Sequence, residues 1–148
     1  MIRGKRRYLQ NEIEIAVRFS EVDAMNVVWH GNYLKYFEDG REALGAEHNL
    51  NYLDIAHKGF FVPIVHSEID HLFPIEYGSR VKVISRLVDS PAAKIIHEYE
   101  LYDIEKNKLS ARGQTIQVFV TLQKELILTV PDFFADWKSQ QNWIEDKE

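Results

Sequence analysis

The sequence has no cysteine at all, so disulfide bonds, thiolate metal sites and cysteine nucleophiles are excluded. It has no apolar run approaching the roughly 20 residues of a membrane-spanning helix. Positive charge is in the minority: 18 Lys and Arg stand against 23 Asp and Glu, for a net charge of −5. No overall basic field therefore recruits nucleic acid or an anionic membrane. The one basic cluster, Arg3–Arg7, is expected to be a solvated or frayed terminus. The charges at the start are not followed by the apolar stretch of a secretory signal, so the cytoplasm is the expected location. No repeat, low-complexity segment or second domain is visible.

What is present is the composition of a soluble globular protein, 45% apolar and 28% charged over 148 residues. A single domain over residues 1–148 is expected, with its core at about 12–125. Residues 13–19 (IEIAVRF) alternate and predict a first strand, and residues 20–28 a loop. From Trp29 the period changes: Trp29, Tyr33, Phe37, Gly40 and Leu44 fall at helical spacing. Gly40 is costly inside a helix, by about 1 kcal/mol relative to Ala, which predicts a close approach of backbone to a neighbouring sheet. A short helix is expected over Tyr52–His57. Strands follow at Phe61–Phe73, Arg80–Val88, Lys94–Asp103 and Ser110–Gln123, with Pro63 making the start of the first irregular. Pro131–Trp143 predicts a terminal helix. The expected class is α+β: a strand, a long helix, four antiparallel strands in a meander and a C-terminal helix. Both faces of the later strands are apolar, so an uncovered face or edge is expected to meet another subunit.

The chemistry concentrates in Val17–Arg41 (VRFSEVDAMNVVWHGNYLKYFEDGR). Asp23 lies in a loop just ahead of a helix start near Trp29 and His30. A helix N-terminus offers unpaired N–H groups and a favourable dipole for negative charge. An acid beside such donors suits acyl transfer. On the residues alone, a helix or turn cap is the commoner role for such an Asp.

The run Phe19-Ser20-Glu21-Val22-Asp23-Ala24-Met25-Asn26-Val27-Val28-Trp29-His30-Gly31-Asn32-Tyr33 resembles the hot-dog-fold thioesterases of the 4-hydroxybenzoyl-CoA thioesterase-like family. Tyr36-Phe37-Glu38 and Arg41 continue the likeness, and Ile69–Gly78 resembles that family's strand ending in a proline and a glycine turn. Three positions depart from the pattern: Asn26 for a usual Gly, Val22 for Thr or Cys, and Ser79 for Asp. Asn tolerates left-handed backbone, which would preserve the turn.

The resemblance implies a hot-dog fold, an antiparallel sheet wrapped around one long central helix. It implies an enzyme that hydrolyses an acyl-CoA or related thioester, with Asp23 as nucleophile or general base. The backbone N–H groups of Trp29, His30 and Gly31 would polarise the carbonyl. The His30 side chain is left with three readings: contact with the acyl group, proton shuttling or capping. Tyr33 and Phe37 are either core or walls of an acyl pocket. Arg86, Lys94 and Ser90 are candidates for the CoA phosphates, against the simpler reading of a solvated strand end. Glu38 is either a second acid or the partner of Arg41 or Arg18. His66 and Asp70 would stand about 13 Å apart on one strand face, too far to share an ion, and His71 points away. No metal and no cofactor are expected. The partners expected are the thioester substrate and further copies of the chain, as a homodimer or homotetramer. Two alternatives remain open: a hot-dog hydratase or dehydratase, and a non-catalytic acyl-thioester-binding module.

Overall fold

The computed structural model describes residues 6–146. In chain order its elements are β1 (Arg7–Ala16), α1 (Tyr33–Glu47), α2 (Tyr52–His57), β2 (Phe60–Phe61), β3 (Ile64–His71), β4 (Arg80–Val88), β5 (Lys94–Asp103), β6 (Lys108–Thr121), β7 (Leu126–Ile127), α3 (Asp132–Ser139) and β8 (Ile144–Glu145). All strand pairs are antiparallel, in the order β2-β6-β5-β4-β1-β8, with β3 and β7 also on β6. The sheet curves around α1. Among the described residues no helix is long and apolar enough to cross a membrane.

Period-2 alternation decides which face meets α1. Along β5, Ile95, His97, Tyr99 and Leu101 point inward; along β4, Val81, Val83, Ser85 and Leu87 do so. The inward residues form two clusters along the helix. One joins Tyr33, Tyr36 and Phe37 to Val81, Val83, Tyr99 and Leu101. The other joins Leu44 to Leu9, Leu50, Ile55, Leu87, Ile95, Phe119 and Phe134. The helix sits hard on the sheet where glycine permits it. A Cβ on Gly40 would lie 2.2 Å from Ser85 Oγ and 2.7 Å from Val83 Cγ1. A Cβ on Gly113 would lie 2.4 Å from the Phe37 ring. That ring stacks on Tyr99 with centroids 4.4 Å apart. The close approach expected at Gly40 is therefore what the structure has.

Four expectations change. The first strand is Arg7–Ala16 rather than 13–19, because β1 pairs along the whole of β4 from Tyr8↔Val88 to Ala16↔Arg80. Arg6 and Arg7 are thus anchored, not frayed: Arg6 pairs with Glu98, and Arg7 with Asp89 at 2.6 Å. The rest of the basic cluster, residues 3–5, lies outside the described residues. The meander has three strands, β4, β5 and β6. β3 lies on the far side of β6, and β1 takes the place beside β4 because Leu9, Ile13 and Ile15 extend the apolar floor under α1. The terminal helix ends at Ser139, and Ile144 returns to pair with Tyr8.

His97 is the unusual inward residue. Burial, and secondly the charge of Arg41, push its pKa down to about 3. The imidazole is neutral in the folded chain and protonated in the unfolded chain below about pH 6.5. Its contribution to stability is thus whole above pH 6.5 and is lost as the pH falls toward 3, by at most ~1.4 kcal/mol per pH unit. Urea titrations of wild type and His97→Leu at pH 7, 5.5 and 4.5 check this: the variant gains on wild type as the pH drops. A constant difference would contradict the assignment.

Candidate active site

Asp23 opens a tight turn. Its N–H donates to Val27 O at 2.9 Å, its carbonyl accepts from Asn26 N at 3.0 Å, and its Oδ1 accepts from Met25 N at 2.8 Å. Asn26 has φ 63°, so the Asn at this position adopts the left-handed backbone for which glycine is usual. The turn is tied to the β3–β4 connection by Val28 N to Ile75 O at 2.7 Å and Tyr77 N to Asn26 O at 3.3 Å. Among the described residues nothing donates to Asp23 Oδ2. One carboxylate oxygen is anchored and the other is unpaired among the described residues.

Glu21 holds this loop to the helix. Its carbonyl accepts from Trp29 N and from the buried Asn32 Nδ2, both at 2.9 Å. Its Oε1 accepts from Arg18 N at 2.7 Å and from the buried Tyr36 hydroxyl at 3.0 Å. Burial, reinforced by the Glu21 charge, drives the Tyr36 phenol well above its ordinary value. The Trp29 amide, expected among the carbonyl-polarising donors, is therefore already spent on Glu21. The His30 and Gly31 amides, in the 3-10 turn that leads into α1, have no acceptor among the described residues. They are the donors this helix start offers. The half-exposed Trp29 indole lies across Gly31, whose Cβ would stand 2.2 Å from the ring. The His30 side chain is exposed and lies beside that indole at 5.0 Å.

The other expected residues fall elsewhere. Phe37 is fully buried on Tyr99, and Tyr33 is buried and stacked on His71 at 4.6 Å, so both are core rather than pocket wall. Arg86 points to the outer face of the sheet. It pairs there with Glu100 and donates to Gln10 Oε1 at 2.9 Å. Ser90 Oγ accepts from Ala92 N at 3.2 Å, and the Ser90 carbonyl accepts from Lys138 Nζ at 2.9 Å. Lys94 is exposed at the start of β5. The Ser90 turn and the Asp23 loop flank opposite ends of β4, separated by about 26 Å of extended chain, so one chain does not join them in one site. Arg41 does not pair with Glu38; it donates to the Tyr99 hydroxyl at 3.3 Å, which is 2.7 Å from Thr115 Oγ1. Asp70 pairs with Arg112 at 3.1 Å.

The feature that the sequence reading missed is a cavity of about 840 Å³ between the second half of α1, α2 and the sheet. Leu44, Leu50, Ile55, Val62, Leu87 and Ile95 supply its apolar wall, and Glu38, Asp39, Arg41, Glu42, His97 and Gln117 are among its polar lining. The available signal was His97, standing with Ile95, Tyr99 and Leu101 in the inward row of β5.

The sequence profile of the thioesterase-like superfamily matches residues 17–138. A candidate acyl-CoA thioesterase of Bacillus subtilis, YneP, is 31% identical over 124 residues, 84% of this chain and 89% of that one. A 1,4-dihydroxy-2-naphthoyl-CoA hydrolase of Synechocystis is 27% identical over 119 residues, 80% of this chain and 86% of that one. The crystal structure of a 1,4-dihydroxy-2-naphthoyl-CoA thioesterase from Synechocystis superposes with a TM-score of 0.78 over 90% of this chain and 98% of that one. At 23% identity that last likeness shows the fold alone, a hot-dog fold.

Replacing Glu21 by Ala would leave the buried Tyr36 hydroxyl without its acceptor, at a cost of about 1–3 kcal/mol. The Tm of Glu21→Ala is expected to fall accordingly, and adding Tyr36→Phe to recover part of it. No recovery in the double variant would show that Glu21 acts on the loop by another route.

Proposed function

The chain belongs to the thioesterase-like superfamily, and on that premise we propose that it hydrolyses acyl-CoA thioesters at Asp23. The observation that carries the reading is the pairing of a half-free carboxylate on a rigid turn with two unpartnered amides at the start of α1. The thioester oxygen sits on the His30 and Gly31 N–H groups. Asp23 Oδ2 takes a proton from water as the hydroxide adds to the carbonyl carbon. The tetrahedral oxyanion is held by the same amides, each worth about 3 kcal/mol in such a role. The C–S bond then breaks, and the thiolate recovers the proton from Asp23. The products are a free acid and a thiol. Direct attack by Asp23 to form a mixed anhydride, which water then opens, uses the same atoms.

The relatives named for 1,4-dihydroxy-2-naphthoyl-CoA place aryl thioesters beside aliphatic ones in the substrate panel. The working unit is at least a dimer. β3 pairs with β6 on one side only, among the described residues its other edge has no strand neighbour, and Ile64 and Val65 are exposed along it. On the outer sheet face Ile116, Val118 and Val120 are only half-buried.

Thiol release from a panel of aryl- and alkyl-CoAs tests the function. Asp23→Asn is expected to lower kcat by about 10²–10⁴-fold with little change in KM. An Asp23→Asn enzyme with wild-type kcat would overturn the assignment. Light scattering is expected to give at least two copies per particle, and a monomer would contradict the dimer.

A further inference from the structure

Arginine cannot shed its charge, so a guanidinium drawn out of water needs an anion or a full set of acceptors. Arg6, Arg7, Arg80, Arg86 and Arg112 each hold a carboxylate. Arg18 holds none among the described residues, but it is exposed to water. Arg41 is half-buried and holds none either among the described residues. Its side chain reaches under α1 and donates once, at 3.3 Å, to the buried Tyr99 hydroxyl. The rest of its N–H groups have no protein acceptor among the described residues. The charge is felt at the sheet. Burial first and Arg41 second keep His97 neutral, and the same charge opposes the rise that burial imposes on the Tyr99 phenol.

Arg41 lines the cavity of about 840 Å³, beside the aliphatic Leu44, Val62, Leu87 and Ile95. That volume falls within the ~300–1,000 Å³ of sites that enclose a small ligand. The lining runs out to the exposed Tyr52, Leu53 and Ile64, so the cavity opens to water beside α2. No residue of the Asp23 turn or of the 3-10 turn at His30 lines it, so it is a compartment apart from the proposed reaction centre. Its other charged side chains, Glu38, Asp39 and Glu42, are exposed, where water and salt screen them. Their repulsion grows with the charge on the ligand, so they oppose a polyanion more than a single charge. A cation without a counter-ion beside an aliphatic wall matches one chemistry, a single negative charge on an aliphatic chain.

We infer that the cavity is a second binding site, separate from the Asp23 centre, for an aliphatic monocarboxylate whose head meets the Arg41 guanidinium and whose chain lies along Leu44, Leu87 and Ile95. A carboxylate accepts two parallel N–H bonds from a guanidinium, and such charge-assisted pairs are roughly twice as strong as neutral ones. An alcohol of the same chain buries the same apolar surface without the charge, and an alkylammonium is repelled. The acid released in the proposed hydrolysis belongs to this ligand class, but the inference rests on the cavity alone and needs no turnover.

Calorimetric titration with octanoate, octan-1-ol and octylammonium tests it. Octanoate is expected to bind wild type at least about tenfold more tightly than octan-1-ol, and octylammonium more weakly than either. Asp23→Asn should bind octanoate as wild type does. Arg41→Gln should bring octanoate down to the level of octan-1-ol, and Arg41→Lys should keep part of the preference. Tyr99→Phe, which removes only the internal partner of Arg41, should keep it whole. A merely structural Arg41 would lower Tm and leave the octanoate-to-octanol ratio unmoved. Leu53→Asp, at the exposed mouth, should weaken octanoate binding with Arg41 in place, which decides the matter if Arg41→Gln does not fold. The inference is overturned by octanoate that binds no better than octan-1-ol, by a preference that survives Arg41→Gln, by full octanoate binding in Leu53→Asp, or by its loss in Asp23→Asn. A wild type that hydrolyses no acyl-CoA overturns the proposed function and leaves these titrations in force.

Discussion

Everything in this fold is referred to the seat of α1 on the sheet between Phe37 and Gly40. The helix can come down there only because Gly40 faces Ser85 and Val83, and because Gly113 leaves room for the Phe37 ring. Interiors pack at crystalline density, so a side chain at either glycine has no slack to absorb it. The loop that carries Asp23 is tied to the start of the same helix through the Glu21 carbonyl, and the second half of the helix lines the cavity with Leu44, Leu87 and Ile95.

Between the seat and the chemistry stands Glu21. A loop has little packing of its own, and a carboxylate in it is placed only as well as its hydrogen bonds allow. Glu21 supplies those bonds from both ends of one residue, with its carbonyl on Trp29 and Asn32 and its carboxylate on Arg18 and Tyr36. By consuming the Trp29 amide it also determines which donors remain. The first free N–H groups are those of His30 and Gly31, at the mouth of the helix, where the backbone dipole adds to them.

Much of this was legible in the chain. β5 alternates along its length, with Ile95, His97, Tyr99 and Leu101 under the helix, and the helical spacing of Tyr33, Phe37, Gly40 and Leu44 marks α1 and its contact face; β6 hides its inward face, because Ile116, Val118 and Val120 lie on the outer one. Asp23 and the nearby helix start were visible as a motif, and Asn26 as a residue able to take a positive φ. What was hidden depended on partners distant in sequence. The place of β3 beside β6 and of β1 beside β4 is a choice among edges that no local pattern encodes. Arg7 looks like part of a charged tail until Asp89 and the β4 ladder are beside it. An aromatic at helical spacing looks the same whether it faces a sheet or a pocket, so Phe37 was ambiguous until its stack on Tyr99 was seen. Arg86 was the decidable case: it precedes the inward Leu87, so alternation alone turns it away from the helix.

The two halves of α1 also differ electrostatically, and that difference gives the site a direction. Its start offers unpaired amides and the positive end of the dipole, and it borders the acid that would attack. Its middle carries Glu38, Asp39 and Glu42 around the cavity, with Arg41 turned inward to Tyr99. A polyanionic carrier is favoured at the first and opposed at the second, while an uncharged tail is indifferent to both and gains by leaving water at the aliphatic wall. Under the proposed hydrolase reading, the two halves of one helix would therefore treat the two ends of a thioester differently, through backbone dipole and surface charge.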